Sequence, residues 1–166
     1  MDNLNFAYGN SCNLVNAGAV AGTTSSFTTT AATNAVINGK FTTPLGIQTN
    51  AASPTLDGAT GLAFIPLQPN QCCALVYGVT SAGILLLMQG SILPNGAGVG
   101  AVPGALIRDP QFPGLPQDCA ALAYTIVRTA PAAAPWTPGA GAWAAAGVVG
   151  TAFQNVFQLP NRPQAS

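Results

Sequence analysis

The sequence predicts an all-β fold, an antiparallel β-sandwich or β-barrel with long Gly/Pro-rich loops and an extended N-terminal arm. Three observations carry this. Roughly six to eight short runs rich in β-branched and aromatic residues recur along the chain. They are separated by turns drawn from 19 Gly and 14 Pro. No stretch sustains the 3.6-residue apolar period of a helix, so runs of strands joined by breakers point to sandwich or barrel architecture. With 166 residues the chain is long enough for one core. The organisation it suggests is an arm over residues 1–26 and a single β-rich domain over 27–166, with irregular excursions near 91–117 and 130–147.

Residues 1–26 are small and polar, with Phe6, Tyr8, Leu14 and Val15 as isolated anchors. Such a segment stays flexible unless something ties it down, so it reads as an arm docked on a neighbour. Residues 27–30 are β-prone. Asn38-Gly39 then stands between Val36-Ile37 and Lys40-Phe41. A type I′ turn needs positive φ at both central residues, and this pair tolerates it best, so a hairpin is expected here. Pro44, Gly46, Pro54 and Asp57-Gly58 make residues 42–60 loop or edge strand. Residues 61–67 read as a short strand closed by Pro66 and the Pro69-Asn70 turn.

Residues 72–90 are the most apolar part of the chain. They read as a second hairpin, 72–79 and 84–89, turned by Thr80-Ser81-Ala82-Gly83. Neither strand has a polar face: Cys73, Leu75, Tyr77 and Val79 point one way, Cys72, Ala74, Val76 and Gly78 the other. Both sides therefore need cover, from this domain or from another subunit. The run is also about the ~20 residues that a membrane helix needs. Gly78, Gly83, Gly90 and the polar turn interrupt it, and no basic residue flanks it, which favours the hairpin. Pro103, Pro110, Pro113 and Pro116 punctuate a surface excursion. Residues 118–129 are the next strand, with Leu122, Tyr124 and Ile126 on one side and Ala121, Ala123, Thr125 and Val127 on the other. Its expected partner is the central hairpin. Residues 130–147 are irregular, with a helical turn at 142–146 that Gly147 would end. Residues 151–159 alternate as a half-exposed strand.

Charge sets the functional limits. Four basic residues, four acidic ones and no His make up 5% of the chain, against about 25% charged in soluble domains. The basic cluster that nucleic acid requires is missing, and no basic field draws the chain to a membrane. A surface this poor in charge resembles the centre of a permanent interface, which suits life inside an assembly. Met1-Asp2-Asn3 has no basic region before an apolar run, so no signal peptide is read and synthesis is placed in the cytosol.

No catalytic, metal or cofactor site is expected. His and Glu are absent, and the Asp residues at 2, 57, 109 and 118 sit beside turns or a terminus, where the side chain caps backbone. Asp109 and Asp118 could meet across the Pro-rich excursion. Cys12, Cys72, Cys73 and Cys119 have no His to activate them and lack zinc spacing. A bridge from Cys72 or Cys73 to Cys119 is conceivable, although cytosolic synthesis favours reduced thiols. Residues 96–100 are Gly-rich but lack the Lys-Ser/Thr of a phosphate loop. Trp136 and Trp143 admit two readings: pins for their Pro/Gly loop, or an aromatic platform for a sugar.

Four phrases have a familiar cast: Asn38-Gly39-Lys40-Phe41, Leu67-Gln68-Pro69-Asn70-Gln71-Cys72, Gln111-Phe112-Pro113-Gly114-Leu115-Pro116 and Leu159-Pro160-Asn161-Arg162-Pro163. In these the chain resembles small virion structural proteins of tailed bacteriophages, and among them capsid decoration (cement) proteins. The resemblance implies a β-rich module on the capsid surface. Its partners would be the major capsid protein and copies of itself, as a trimer or other homo-oligomer. It carries over no catalytic residue. Candidate assembly contacts are Phe6, Tyr8, Leu14, Trp136, Trp143 and Arg162. The alternative is a head fibre, tail or adaptor subunit that binds host glycan through the Trp136 to Trp143 loop.

Overall fold

The centre of the molecule is a nine-residue strand that buries both of its faces. The computed structural model describes residues 11–163. In chain order its strands are β1 (Cys12–Asn13), β2 (Val20–Ala21), β3 (Phe27–Thr28), β4 (Ala35–Ile37), β5 (Lys40–Phe41), β6 (Gln71–Val79), β7 (Leu85–Gln89), β8 (Leu93–Pro94), β9 (Ala120–Thr129), β10 (Val148–Gly150) and β11 (Gln154–Asn155). The fold is all-β and its strand pairs are antiparallel. The described residues contain no helix, and none of their sheets closes on itself.

The main sheet runs β10-β9-β6-β7, with β11 beside β9 and β8 beside β6. β6 and β7 form the central hairpin. Thr80 N–H bonds Ile84 O, Gly83 N–H bonds Thr80 O, and Gly83 takes the φ of 76° that its lack of a Cβ permits. β9 is the other partner of β6, as the apolar pattern of both strands suggests. The Asn38-Gly39 hairpin joins β4 to β5, with φ of 52° and 77° at the two turn residues, as a type I′ turn requires.

A bulge in β9 changes which side chains share a face. Tyr77 pairs with Ala123 but Gly78 pairs with Ala121, so Leu122 is the extra residue. Simple alternation puts Leu122 with Tyr124; the bulge turns it to the opposite side, where it packs with Val79, Ala120, Ala35 and Ile37. Ala121 moves to the Tyr124 side by the same step. Gly78 accommodates this crowding, because a Cβ there would meet Cys119 Sγ, Ala120 O and Met88 Cε.

Each face of β6 is covered from within the chain. Over Cys73, Leu75 and Tyr77 lie Phe27, Phe64, Leu67 and Trp136, while the β1-β4-β5 sheet lies over Val79 and Leu122. This is a sandwich-like arrangement. The other face, with Val76, Met88 and Tyr124, is covered by Phe112 and Leu115 and by Val156 and Leu159. The Pro-rich passage thus runs over the surface as expected through Val99, Val102 and Ile107, and its last part, at Phe112 and Leu115, folds back as a cover on the core. Proline keeps it out of the sheet, yet its apolar side chains still need burial. Phe112 stands edge-on to Tyr124 at 4.9 Å, and Gly90 lets Gln111 O pass close.

Four further expectations differ. Residues 61–67 make bridges at Ala63 and Leu67 but no strand, since Pro66 and the turn at Asp57 break pairing. Of residues 151–159, only Gln154–Asn155 pair with β9. The tail wraps the sheet edge, with Phe153 on one face and Val156 and Leu159 on the other. Residues 142–146 form turns, followed by the unexpected strand β10. Within the stretch assigned to the arm, residues 11–26 join the body: β1 pairs β4, β2 pairs β3, and Ala17 and Ala19 are buried. Small residues fit there because they let backbones approach.

Candidate functional site

The acidic residues that could do chemistry are engaged in local structure. Asp57 is 8% exposed. Its Oδ1 accepts from the N–H groups of Ala59 at 3.1 Å and Gln89 at 3.3 Å, and its Oδ2 from Thr60 Oγ1 at 2.9 Å. It holds the turn to β7, as an Asp in such a position commonly does. Asp118 accepts from Ser81 N–H and Oγ at 3.3 and 3.0 Å. Asp109 pairs with Arg162 at 3.2 Å. Asp109 and Asp118 thus turn to different partners.

The cysteines are free. Burial pushes the Cys73 and Cys119 thiols up to about 12 and raises Cys72, whose shift Arg128 partly opposes. At neutral pH these three are protonated, and a protonated thiol is a poor nucleophile or ligand. Among the described residues no three His, Cys, Asp or Glu side chains come together as a metal site. No helix of the described residues is long and apolar enough to cross a membrane.

The two tryptophans sit at the end of a chain of rings. Phe27 and Tyr77 both approach Phe153, at 6.2 and 5.8 Å; Phe153 meets Trp143 edge-on at 5.6 Å, and Trp143 meets Trp136 at 5.5 Å. Trp136 is 2% exposed, and its indole N–H donates to Ala142 O at 2.9 Å. The Trp143 indole N–H donates to Ser26 O at 3.0 Å, and its backbone N–H to Thr24 O. Both rings pin residues 136–143 to the body. Trp136 therefore offers no surface for contact, whereas half-buried Trp143 lines a cavity of about 730 Å³.

That cavity lies between β2 and the β10–β11 segment, with Val20, Thr125, Thr151, Phe153 and Asn155 on its walls. The side chains of Thr125, Thr151 and Asn155 are engaged. Thr125 Oγ1 donates to Thr151 O at 2.7 Å. The Asn155 amide accepts from Ala19 N–H at 2.6 Å and donates to Ala19 O at 3.3 Å, pairing with it as a neighbouring strand would.

The other expected contacts are dispersed. Leu14 is 45% exposed. Arg162 is exposed and holds Asp109 in a solvent-screened pair. Phe6 and Tyr8 lie outside the described residues. Sequence reasoning missed two groups of exposed apolar side chains. Leu56, Leu62 and Ile65 stand on the turn beside β7, where Leu56 bridges Ala63. Val99, Val102 and Ile107 stand on a loop closed by the Val99–Val102 and Asn95–Leu106 bridges. The available signal was large apolar residues inside Gly/Pro-rich segments, where turns hold side chains outward. Comparison with protein families, with curated proteins and with solved structures returned no match.

Proposed function

We propose that this chain is a structural subunit of a virion, decorating and stabilising a bacteriophage capsid through protein–protein contacts. The observation that carries the reading is the apolar surface outside a core already covered on both faces. Leu62, Ile65, Val99 and Val102 are each 66% or more exposed in a chain with only eight charged residues among 166. Apolar groups in that position lower the free energy of an assembly, not of the isolated fold. Many copies on a symmetric shell add avidity, so each contact can be modest. The partners are the major capsid protein and further copies of the chain. Among the described residues the three acids are engaged and Cys72, Cys73 and Cys119 are buried, and the proposal assigns no enzymatic role.

The test is mass-spectrometric identification and copy counting in purified particles, followed by mild heating. Lattice-scale copy number and loss of capsid stability on its release support the proposal. Absence from the particles would end it.

A second reading, a head fibre, tail or adaptor subunit binding host glycan, rests on the cavity that Trp143 and Phe153 line. It loses the paired-ring platform, because Trp136 is buried. A copy number far below that of the lattice, with glycan binding abolished by Trp143→Ala, would favour it.

A further inference from the structure

The chain carries two Asn-Gly pairs and one Asp-Gly pair, at 38, 95 and 57. In such pairs the glycine main-chain nitrogen can attack the side-chain carbonyl carbon. From asparagine the new N–C bond forms a succinimide and the C–N bond to the amide breaks, releasing ammonia. Water then opens the ring to aspartate or isoaspartate. The reaction needs water, a free glycine N–H that can lose its proton, and space around the side chain.

The three sites differ in these respects. Asn95 is 5% exposed, its Nδ2 donates to Thr129 O at 3.2 Å, and Gly96 N–H donates to Ala105 O at 2.7 Å. Asp57 is buried with its carboxylate engaged, and Gly58 N–H donates to Leu87 O at 2.8 Å. At both, the nucleophile is held by a carbonyl. Asn38 is exposed; Gly39 N–H makes no hydrogen bond among the described residues, and nothing lies within 4 Å of where a Gly39 Cβ would be. The one restraint on its side-chain amide is a solvent-exposed bond from Nδ2 to Gln117 O at 3.3 Å.

We propose that Asn38 is a site of spontaneous succinimide-mediated deamidation in the folded protein, and that the fold protects Asn95 and Asp57 from the same chemistry. The product matters to the structure. Deamidation removes the Nδ2 donor that ties the β4–β5 turn to Gln117, and sets a carboxylate beside that carbonyl. It takes the formal net charge from zero to −1. Isoaspartate also adds a methylene to the main chain, which a two-residue turn cannot absorb.

The experiment holds the folded protein in mildly alkaline buffer, samples it over days, and maps each site by peptide mass and isoaspartyl methylation. The expected result is conversion at Asn38, with Asn95 slower by at least about tenfold, since Asn95 reacts only after local opening. In denaturant the two sites should react at similar rates. Asn38→Asp, analysed alongside by isoelectric focusing, should co-migrate with the converted fraction. Asn95 keeping pace with Asn38 in the folded protein, or Asn38 slowed by folding as much as Asn95, would overturn the assignment.

Discussion

Phe27 lies flat against Tyr77, with ring centroids 4.1 Å apart and planes inclined by 17°. The pair joins the β2–β3 ribbon to the central strand, and both rings are fully buried. Phe27→Ala should destabilise the fold by about 3–5 kcal/mol, the cost of removing a buried aromatic side chain. Tyr77→Phe keeps the stack but leaves Ser53 Oγ without its 2.7 Å partner, for a loss of about 1 kcal/mol. Denaturant midpoints at constant slope would check both.

Gly78 is where the bulge is closed. Gly78→Ala should cost about 1–3 kcal/mol through overpacking against Cys119 and Met88. Adding Cys119→Ala should recover part of the loss, because the nearest atom is then gone. A double-mutant cycle on thermal stability that came out additive would contradict this crowding.

Leu87 and Ile65 separate folding from association. Leu87 is fully buried and Ile65 is 66% exposed. Leu87→Asp should abolish folding, since an unpaired charge would sit in the core. Ile65→Ser and Leu62→Ser should change stability by no more than about 0.5 kcal/mol and, on the proposed function, reduce attachment to particles. Circular dichroism and a binding assay on the same samples distinguish the two effects.

The Asn155 side chain stands in for a strand at Ala19. Asn155→Ala removes both bonds and should cost about 1–3 kcal/mol. Asn155→Asp retains an acceptor for Ala19 N–H but sets a carboxylate oxygen against Ala19 O, so it should not restore the loss. Hydrogen exchange at Ala19 reports the difference directly.

Stability should be flat near neutrality and fall in alkali. Cys73, Cys119 and Tyr77 are held by burial at about 12, above ordinary values of about 8.5 for thiols and 10 for phenols. The folded state thus keeps protons that the unfolded state releases. Their contribution is full below about pH 8.5 and falls as pH rises toward 12. With no His, no side chain of ordinary pKa titrates between about pH 5 and 8. Denaturant midpoints should be flat from pH 6 to 8 and decline above about pH 9.

The two hairpins were legible because turn chemistry and strand pattern agree there: Asn38-Gly39 fixes one loop, and the two-sided apolar run marks the other as central. The cover on β6 was not. Phe112 and Leu115 lie among prolines, and Ala17 and Ala19 have almost no hydrophobic signature, yet the first two pack half-buried on the core and the alanines are buried. The Leu122 bulge was hidden as well, because alternation carries no mark of an inserted residue. Of the expected contacts, Trp136 proved to be core, since an aromatic next to Pro and Gly reads alike whether it faces inward or outward.

The 153–159 segment that wraps the edge of β9 sets a condition on how the protein folds. Asn13 N–H bonds Phe157 O, and Val156 and Leu159 help cover the side of β6 that Phe112 and Leu115 begin. The Val76 and Met88 side of the most apolar strand pair is therefore fully covered only once residues 156–159 have docked. Pairings across such sequence distances form slowly. The interval before that docking is when the apolar faces of separate copies are most exposed to one another, so the speed of this closure bears on how much of the protein folds correctly.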